Sequence, residues 1–171
     1  MTPLAKRMAV LPQVGRVIWI GVRPGRGEPM APCQEAQLTA GEGIVGDHFH
    51  SQRNSPRQIT LMQAEHLPVI AACCGLNEVA PSQLRRNLLV AGINLTALKN
   101  RTFRVGSVLL QGTGPCAPCG KMEQALGPGG FNAMRGHGGL CARILSSGTI
   151  HLNDDVIAAP LSELGDPPSS C

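Results

Sequence analysis

The sequence predicts a mainly β fold, one β-barrel with a few short helices, and three observations carry that reading. Its 21 glycines and 14 prolines cut 171 residues into short apolar segments bounded by turn residues, the punctuation of a β-rich chain. The apolar runs are strand-sized, and none approaches the roughly 18 residues needed to cross a bilayer as a helix. No internal repeat or linker divides the chain, which is long enough to bury a core without a metal or disulfide staple. With an aromatic content of 2%, that core has to be filled by Val, Ile, Leu, Ala and Met.

The elements follow in order. Residues 14–22 read as a first strand, and 34–38 as a second after a loop holding Pro24, Gly25, Gly27 and Pro29. Residues 40–56 read as a long polar loop with Gly41, Gly43, Gly46, Asp47, His48 and His50, and loops of that length are disproportionately functional. A β-branched run at 57–62 precedes a helix over 64–74, which puts Leu67, Ile70 and Cys74 on one face and has Gly75 as its stop. Pro81 opens a helical turn to 85, before a strand at 88–90. Segments 95–98, 102–105 and 107–111, joined through Asn100 and Gly106, read as a meander of hairpins. A helix over 118–126, a loop with six glycines over 127–139, and strands at 140–145 and 155–159 joined through Ser147 and Gly148 complete the chain. The expected organisation is an N-terminal extension at 1–13, the barrel domain at 14–159, and a flexible tail at 160–171.

Composition narrows the function. Few aromatics argue against a base-stacking nucleic-acid module. Fifteen Lys and Arg against 11 Asp and Glu give a net charge of +4, carried partly by dispersed arginines and the pair Arg85 and Arg86, with no polybasic run. Guanidinium forks so distributed suit bidentate binding of a phosphate or carboxylate on a small molecule, the alternative being an ordinary basic surface. Seven cysteines accompany a start, residues 1–12, that lacks the apolar stretch of an export signal. The thiols therefore read as reduced and the protein as cytoplasmic, without nucleic-acid or membrane partners.

Three clusters could carry chemistry. In Pro115-Cys116-Ala117-Pro118-Cys119-Gly120-Lys121, a cysteine followed by helix-forming sequence sits near a helix N-terminus, where the dipole and Lys121 favour the thiolate. Sulfur transfer, disulfide exchange and soft-metal ligation all need a thiolate. Cys73 and Cys74, in contrast, read as small hydrophobes of an amphipathic helix. The second cluster, Arg85-Arg86-Asn87 with Arg57, places guanidinium forks and an amide at strand starts that could cradle a phosphate, weighed against plain surface salt bridges. The third is a pair of glycine-rich loops around Gly41 to His48 and Gly136 to Gly139, where backbone could approach a ligand closely. Gly41, Gly43 and Gly46 match a dinucleotide spacing, but polar loop and Pro56 follow instead of a helix. Asp47 reads as a turn-former, and His48, His50 and His137 as ligands or solvated side chains.

Taken in order, Gly43-Ile44-Val45-Gly46-Asp47-His48, Arg57-Gln58-Ile59-Thr60-Leu61, Leu84-Arg85-Arg86-Asn87-Leu88-Leu89-Val90, Phe103-Arg104-Val105-Gly106, Pro118-Cys119 and Gly138-Gly139 resemble successive signatures of MOSC domains, the molybdenum-cofactor sulfurase C-terminal type. The resemblance covers about residues 14 to 159. It implies a β-barrel in which Cys119, after Pro118 and before the helix, is either a molybdenum ligand in a molybdopterin cofactor or a sulfur carrier. It further implies that Arg85 and Asn87, with Arg57 as companion, contact the pterin phosphate, and that Arg86 stands where many relatives carry Pro. The activities so implied are reduction of N-hydroxylated compounds or sulfur transfer, with electrons or sulfur from a separate protein. Pyridoxal phosphate binding is a further association of such domains.

Two readings of another kind remain open on the residues alone. Cys116, Cys119, His137 and Cys141 could form a structural zinc site built on C-x2-C spacing, or Cys116 and Cys119 could be a dithiol redox pair.

Overall fold

The computed structural model describes residues 2–52 and 54–160. In chain order these form α1 (Pro3–Ala9), β1 (Gly15–Val22), β2 (Ala31–Cys33), β3 (Glu35–Thr39), β4 (Gly43–Ile44), β5 (Ile59–Gln63), α2 (His66–Cys74), a 3-10 turn (Pro81–Leu84), β6 (Leu88–Ala91) and a second 3-10 turn (Leu95–Leu98). There follow β7 (Thr102–Val105), β8 (Val108–Pro115), α3 (Gly120–Leu126), α4 (Gly130–Met134), β9 (Leu140–Ile144), β10 (Gly148–His151) and β11 (Asp155–Ala158). Seven strands close on themselves in the order β1, β6, β5, β9, β8, β7, β11, with β11 returning to β1. This is the mainly β barrel with short helices that the sequence predicts. β2 extends the outer edge of β1, and β10, β3 and β4 form a separate three-stranded sheet.

Alternation along the strands fills the barrel. Val17 and Ile20 of β1, Leu61 of β5, Leu88 and Val90 of β6, Phe103 of β7, Leu110 of β8 and Val156 of β11 belong to one buried cluster, joined by Leu38, Ile44 and Ile150 of the smaller sheet. The other face of β5 and β6 is also covered. Met62 and Leu89 belong to a second cluster with Ile70 of α2, Met122 and Leu126 of α3 and Met134 of α4. β5 and β6 are the barrel's parallel pair, and burial on both faces explains why they read as unbroken apolar runs. Each such outward side chain contributes about 1.5–3 kcal/mol by leaving water.

Several expectations need correction. Residues 95–98 are not a hairpin strand but a 3-10 turn. Asn94 caps it by accepting the Thr96 N–H at 3.1 Å, and Leu95 and Leu98, three residues apart and both buried, fit its repeat. The glycine-rich stretch 127–139 contains α4, and the presumed connection through Ser147 and Gly148 contains β10. Residues 3–9 of the N-terminal extension are helical but bury no side chain. The tail assigned to 160–171 lies outside the described residues beyond Pro160.

Candidate functional site

Because β5 and β6 run parallel and β1 runs antiparallel to β6, the starts of β5 and β6 meet the end of β1 at one end of the barrel. Residues just outside those strand ends must therefore converge. They line a cavity of about 380 Å³ with Arg23, Arg57, Thr60, Arg85, Arg86 and Asn87, closed on another side by Cys119 and Lys121. All four residues singled out by the sequence, Cys119, Arg57, Arg85 and Asn87, face this one cavity. Five cations, Arg23, Arg57, Arg85, Arg86 and Lys121, surround it, against the carboxylate of Asp47. The Arg57 and Arg85 side chains have no hydrogen-bond or ion-pair partner among the described residues. Arg85 itself adopts a left-handed backbone, φ 57° and ψ 37°, at the end of its 3-10 turn. A non-glycine residue held there marks a position that the surroundings over-determine.

Asn87 is the keystone of that end. Its Oδ1 accepts the Thr60 N–H at 3.1 Å and the Thr60 hydroxyl at 3.0 Å, and its amide nitrogen donates to Gly21 O at 3.3 Å and Asp47 Oδ1 at 3.5 Å. Its backbone carbonyl accepts from Gly21 N at 2.8 Å. One buried amide thus ties β1, β5 and β6 to the long loop, with its hydrogen-bonding capacity taken up by protein. Asp47 is a turn-former, as its sequence context suggests: its carboxylate accepts the N–H of Phe49 at 3.1 Å and of Arg23 at 2.8 Å. Sequence reasoning missed Arg23 and Thr60. Only the strand order, which brings their elements beside Asn87, identifies them.

Arg86 does something different from its neighbour. The residue is 3% exposed, and its guanidinium donates to Gly138 O at 2.8 Å, Leu84 O at 2.9 Å and Cys116 O at 3.5 Å. Neither a surface salt bridge nor a free ligand donor, it clamps three segments: the Arg85 loop, the glycine loop and the cysteine loop. The glycine loop meets protein backbone as well. A Cβ on Gly138 would lie 2.0 Å from Cys116 O and one on Gly139 2.0 Å from Leu61 O, so these two glycines admit backbone rather than ligand.

The cysteines separate. Cys119 is the exposed N-cap residue of α3 on the cavity wall, whereas Cys116, only three residues earlier, is buried with its backbone N–H bonded to Gly139 O at 2.8 Å. Neighbouring Cys141, with the charges of Arg86 and Arg57, lowers the Cys116 thiol against the opposing effect of burial. Cys116 and burial push the Cys141 thiol up. His137 packs edge-to-face on His66, ring centres 5.1 Å apart, with Nδ1 3.2 Å from Ala133 O. Among the described residues no three His, Cys, Asp or Glu side chains come together as a metal-ligand set. The zinc site of Cys116, Cys119, His137 and Cys141 is therefore not formed, and the two cysteines of the C-x2-C spacing part, Cys116 buried and Cys119 exposed.

The helix behind Cys119 is anchored by Glu123, whose carboxylate accepts the N–H groups of Gly129 at 2.7 Å and Phe131 at 2.8 Å across the α3–α4 junction. These bonds, that to Phe131 foremost, hold the acid below its usual value. A depressed carboxyl contributes stability above the unfolded value, near pH ~4.3, and loses it as pH falls through the lower folded value. Hydrogen exchange should show protection factors at Gly129 and Phe131 dropping on acidification through that window while those in β5 and β6 persist. Glu123→Gln should show the weaker protection already at neutral pH; equal protection in both proteins would refute the anchor.

A family model described as the MOSC domain matches residues 46–157. No curated protein matches the sequence. Among solved structures, the chain is similar to the YuaD protein from Bacillus subtilis, with TM-score 0.74 and 18% identity over 86% of this chain and 97% of that one. It is similar also to YiiM from Geobacillus stearothermophilus, at 0.68 and 17% over 85% and 75% of the two chains. For YiiM from Escherichia coli the values are 0.65 and 21% over 88% and 72%. At these identities the likeness is one of fold. No helix among the described residues is long and apolar enough to cross a membrane.

Proposed function

The chain belongs to the MOSC domain family, and from that premise we propose that its basic cavity binds a molybdenum pterin cofactor, with Cys119 as the protein ligand to the metal. One observation carries the reading: an exposed thiol and two guanidiniums without protein partners, Arg57 and Arg85, line the same cavity. The donor set fits the group, since a phosphate takes unpaired guanidinium forks and a soft metal takes a thiolate. Arg57 and Arg85 hold the phosphate, and Arg23 and Lys121 add positive charge around it. Asn87, with its amide engaged by Thr60, Gly21 and Asp47, keeps the Arg85 loop in place rather than spending hydrogen bonds on the ligand. Cys119 gives up its proton on ligation. The cofactor, when bound, supplies two-electron redox chemistry, directed by the family resemblance to reduction of N-hydroxylated compounds. The electrons come from a donor outside this domain. Pyridoxal phosphate has no support beyond the family association.

The test is elemental analysis by mass spectrometry of untagged protein from a host that makes the cofactor. Wild type should carry molybdenum at about one per chain, and Cys119→Ser should lose it while melting like cofactor-free wild type. Arg57→Ala and Arg85→Ala should each weaken retention roughly tenfold to a hundredfold, the worth of charge-assisted hydrogen bonds to a phosphate. Molybdenum undiminished in Cys119→Ser would remove Cys119 as ligand. A metal-free chain carrying one extra sulfur on Cys119 would replace the cofactor reading with the sulfur-carrier one.

A further inference from the structure

Arg86 presents an electrostatic problem that its carbonyl partners do not solve. Three carbonyl oxygens satisfy its N–H groups, yet no carboxylate among the described residues pairs with this buried guanidinium. A buried charge without a counter-charge is costly. The ionisable group on the segment that Arg86 clamps is the Cys116 thiol: the guanidinium donates to the Cys116 carbonyl, and its charge favours the thiolate. Cys141 lies close by on the neighbouring strand. β8 and β9 pair Gly114 with Cys141 and Pro115 with Leu140, and the bond from Cys116 N to Gly139 O continues the ladder. Cys116 and Cys141 thus stand diagonally on adjacent strands, on the same face of the ladder. Cys116 also lines a second cavity of about 400 Å³, walled by Leu95, Pro115, Pro118 and Leu140, in which Cys119 takes no part.

We propose that Cys116 and Cys141 form a redox-modification site separate from Cys119, where a hydroperoxide entering the second cavity converts the two thiols to a disulfide. The Cys116 sulfur attacks the terminal peroxide oxygen; the S–O bond forms as the O–O bond breaks. The peroxide is reduced to water or an alcohol, and Cys116 is oxidised to a sulfenic acid. The Cys141 sulfur then attacks that sulfur, the S–S bond forms, and hydroxide leaves with the Cys141 proton as water. The product ties the end of β8 to β9 and takes away the counter-charge of Arg86. It therefore acts on the clamp that holds the segment leading to Cys119. The site stands whatever Cys119 binds.

Trypsin separates Cys141, on residues 136–143, from Cys116, which shares residues 105–121 with Cys119, and fragmentation of the joined peptides, with Cys119 alkylated, assigns the link to Cys116. Full-length wild type and Cys119→Ser, treated with hydrogen peroxide, alkylated and digested without reductant, should both give these two peptides joined, lighter by two hydrogens than their sum. Cys116 should be consumed on the order of tenfold faster than Cys33, whose thiol is pushed up by burial. A Cys116–Cys119 disulfide with Cys141 still alkylatable would overturn the proposal. So would free Cys116 and Cys141 in protein whose exposed Cys73 and Cys119 are already oxidised. Both readouts come from wild type, so they survive a failure of any cysteine variant to fold.

Discussion

Arg86→Met is expected to lower the melting temperature by about 6–20 °C, one of the two largest effects anticipated for a single substitution here. The substitution keeps most of the buried stem but deletes the donors to Leu84 O, Gly138 O and Cys116 O. Each buried carbonyl left unpaired costs about 1–3 kcal/mol. Partial relaxation and the methionine's own burial offset some of this, leaving a loss of about 3–5 kcal/mol. At about 2–4 °C per kcal/mol for a domain of this size, the melt should shift well beyond error. Arg86→Lys tests the cause. A lysine retains the charge but cannot span three carbonyls with a planar fork, so it should recover only part of the loss. Recovery to wild-type stability would mean that the charge alone, and not the clamp, matters. Alkylation of Cys119 followed in the same samples should change in Arg86→Met, because the clamp fixes the loop that carries it.

Much of the barrel is legible in the sequence because alternation and turn residues are local signals. β1, β3, β5, β6, β7 and β9 lie where apolar runs bounded by glycine or proline place them, and Gly75 ends α2 in the left-handed conformation, φ 67°, that its position after Cys74 implies. What was not legible depends on partners distant in sequence. β10 is short, half-exposed along much of its length and stabilised by pairing with β3, more than a hundred residues earlier. α4 begins among glycines that individually oppose a helix, and the carboxylate of Glu123 satisfies the free N–H of Phe131 in its first turn. The turn at Leu95–Leu98 looks like a strand until Asn94 and the side chain of Gln63, which accepts the Leu95 N–H at 3.1 Å, are seen to cap it.

The site divides in the same way. Cys119, Arg57, Arg85 and Asn87 carry chemistry in their residue types and in a motif order, and the barrel brings all four to one cavity. The division of labour between them does not show in sequence. Adjacent arginines have opposite environments because the left-handed turn at Arg85 sends successive side chains apart, Arg85 to the cavity and Arg86 into the interior. Likewise the C-x2-C spacing suggests that Cys116 and Cys119 act together. The strand register, with its irregularity between Gly112 and Gly114, instead brings Cys141 to Cys116 and leaves Cys119 at the helix start.

The second large effect is expected at Gly139, where two independent constraints coincide. Its φ is 90°, a backbone conformation that side chains of L-residues rarely adopt, and a Cβ there would stand 2.0 Å from Leu61 O in the parallel strand β5. Because Leu61 is hydrogen-bonded into the barrel and paired with Leu140 and Leu88, that oxygen cannot withdraw without breaking the ladder on both sides. Gly139→Ala should therefore cost on the order of 3–5 kcal/mol, combining backbone strain with a displaced strand. Denaturant unfolding reads the loss directly. Gly136→Ala is the matched control: its φ of 79° is similar, but a Cβ there meets nothing within 4 Å, so only the strain, about 1–2 kcal/mol, should remain. If the two variants unfold at the same denaturant concentration, the close approach of the glycine loop to β5 contributes nothing to stability. If Gly139→Ala is much the weaker, the loop is pressed against the strand beside Thr60, and the geometry around Cys119 depends on a contact with no side chain at all.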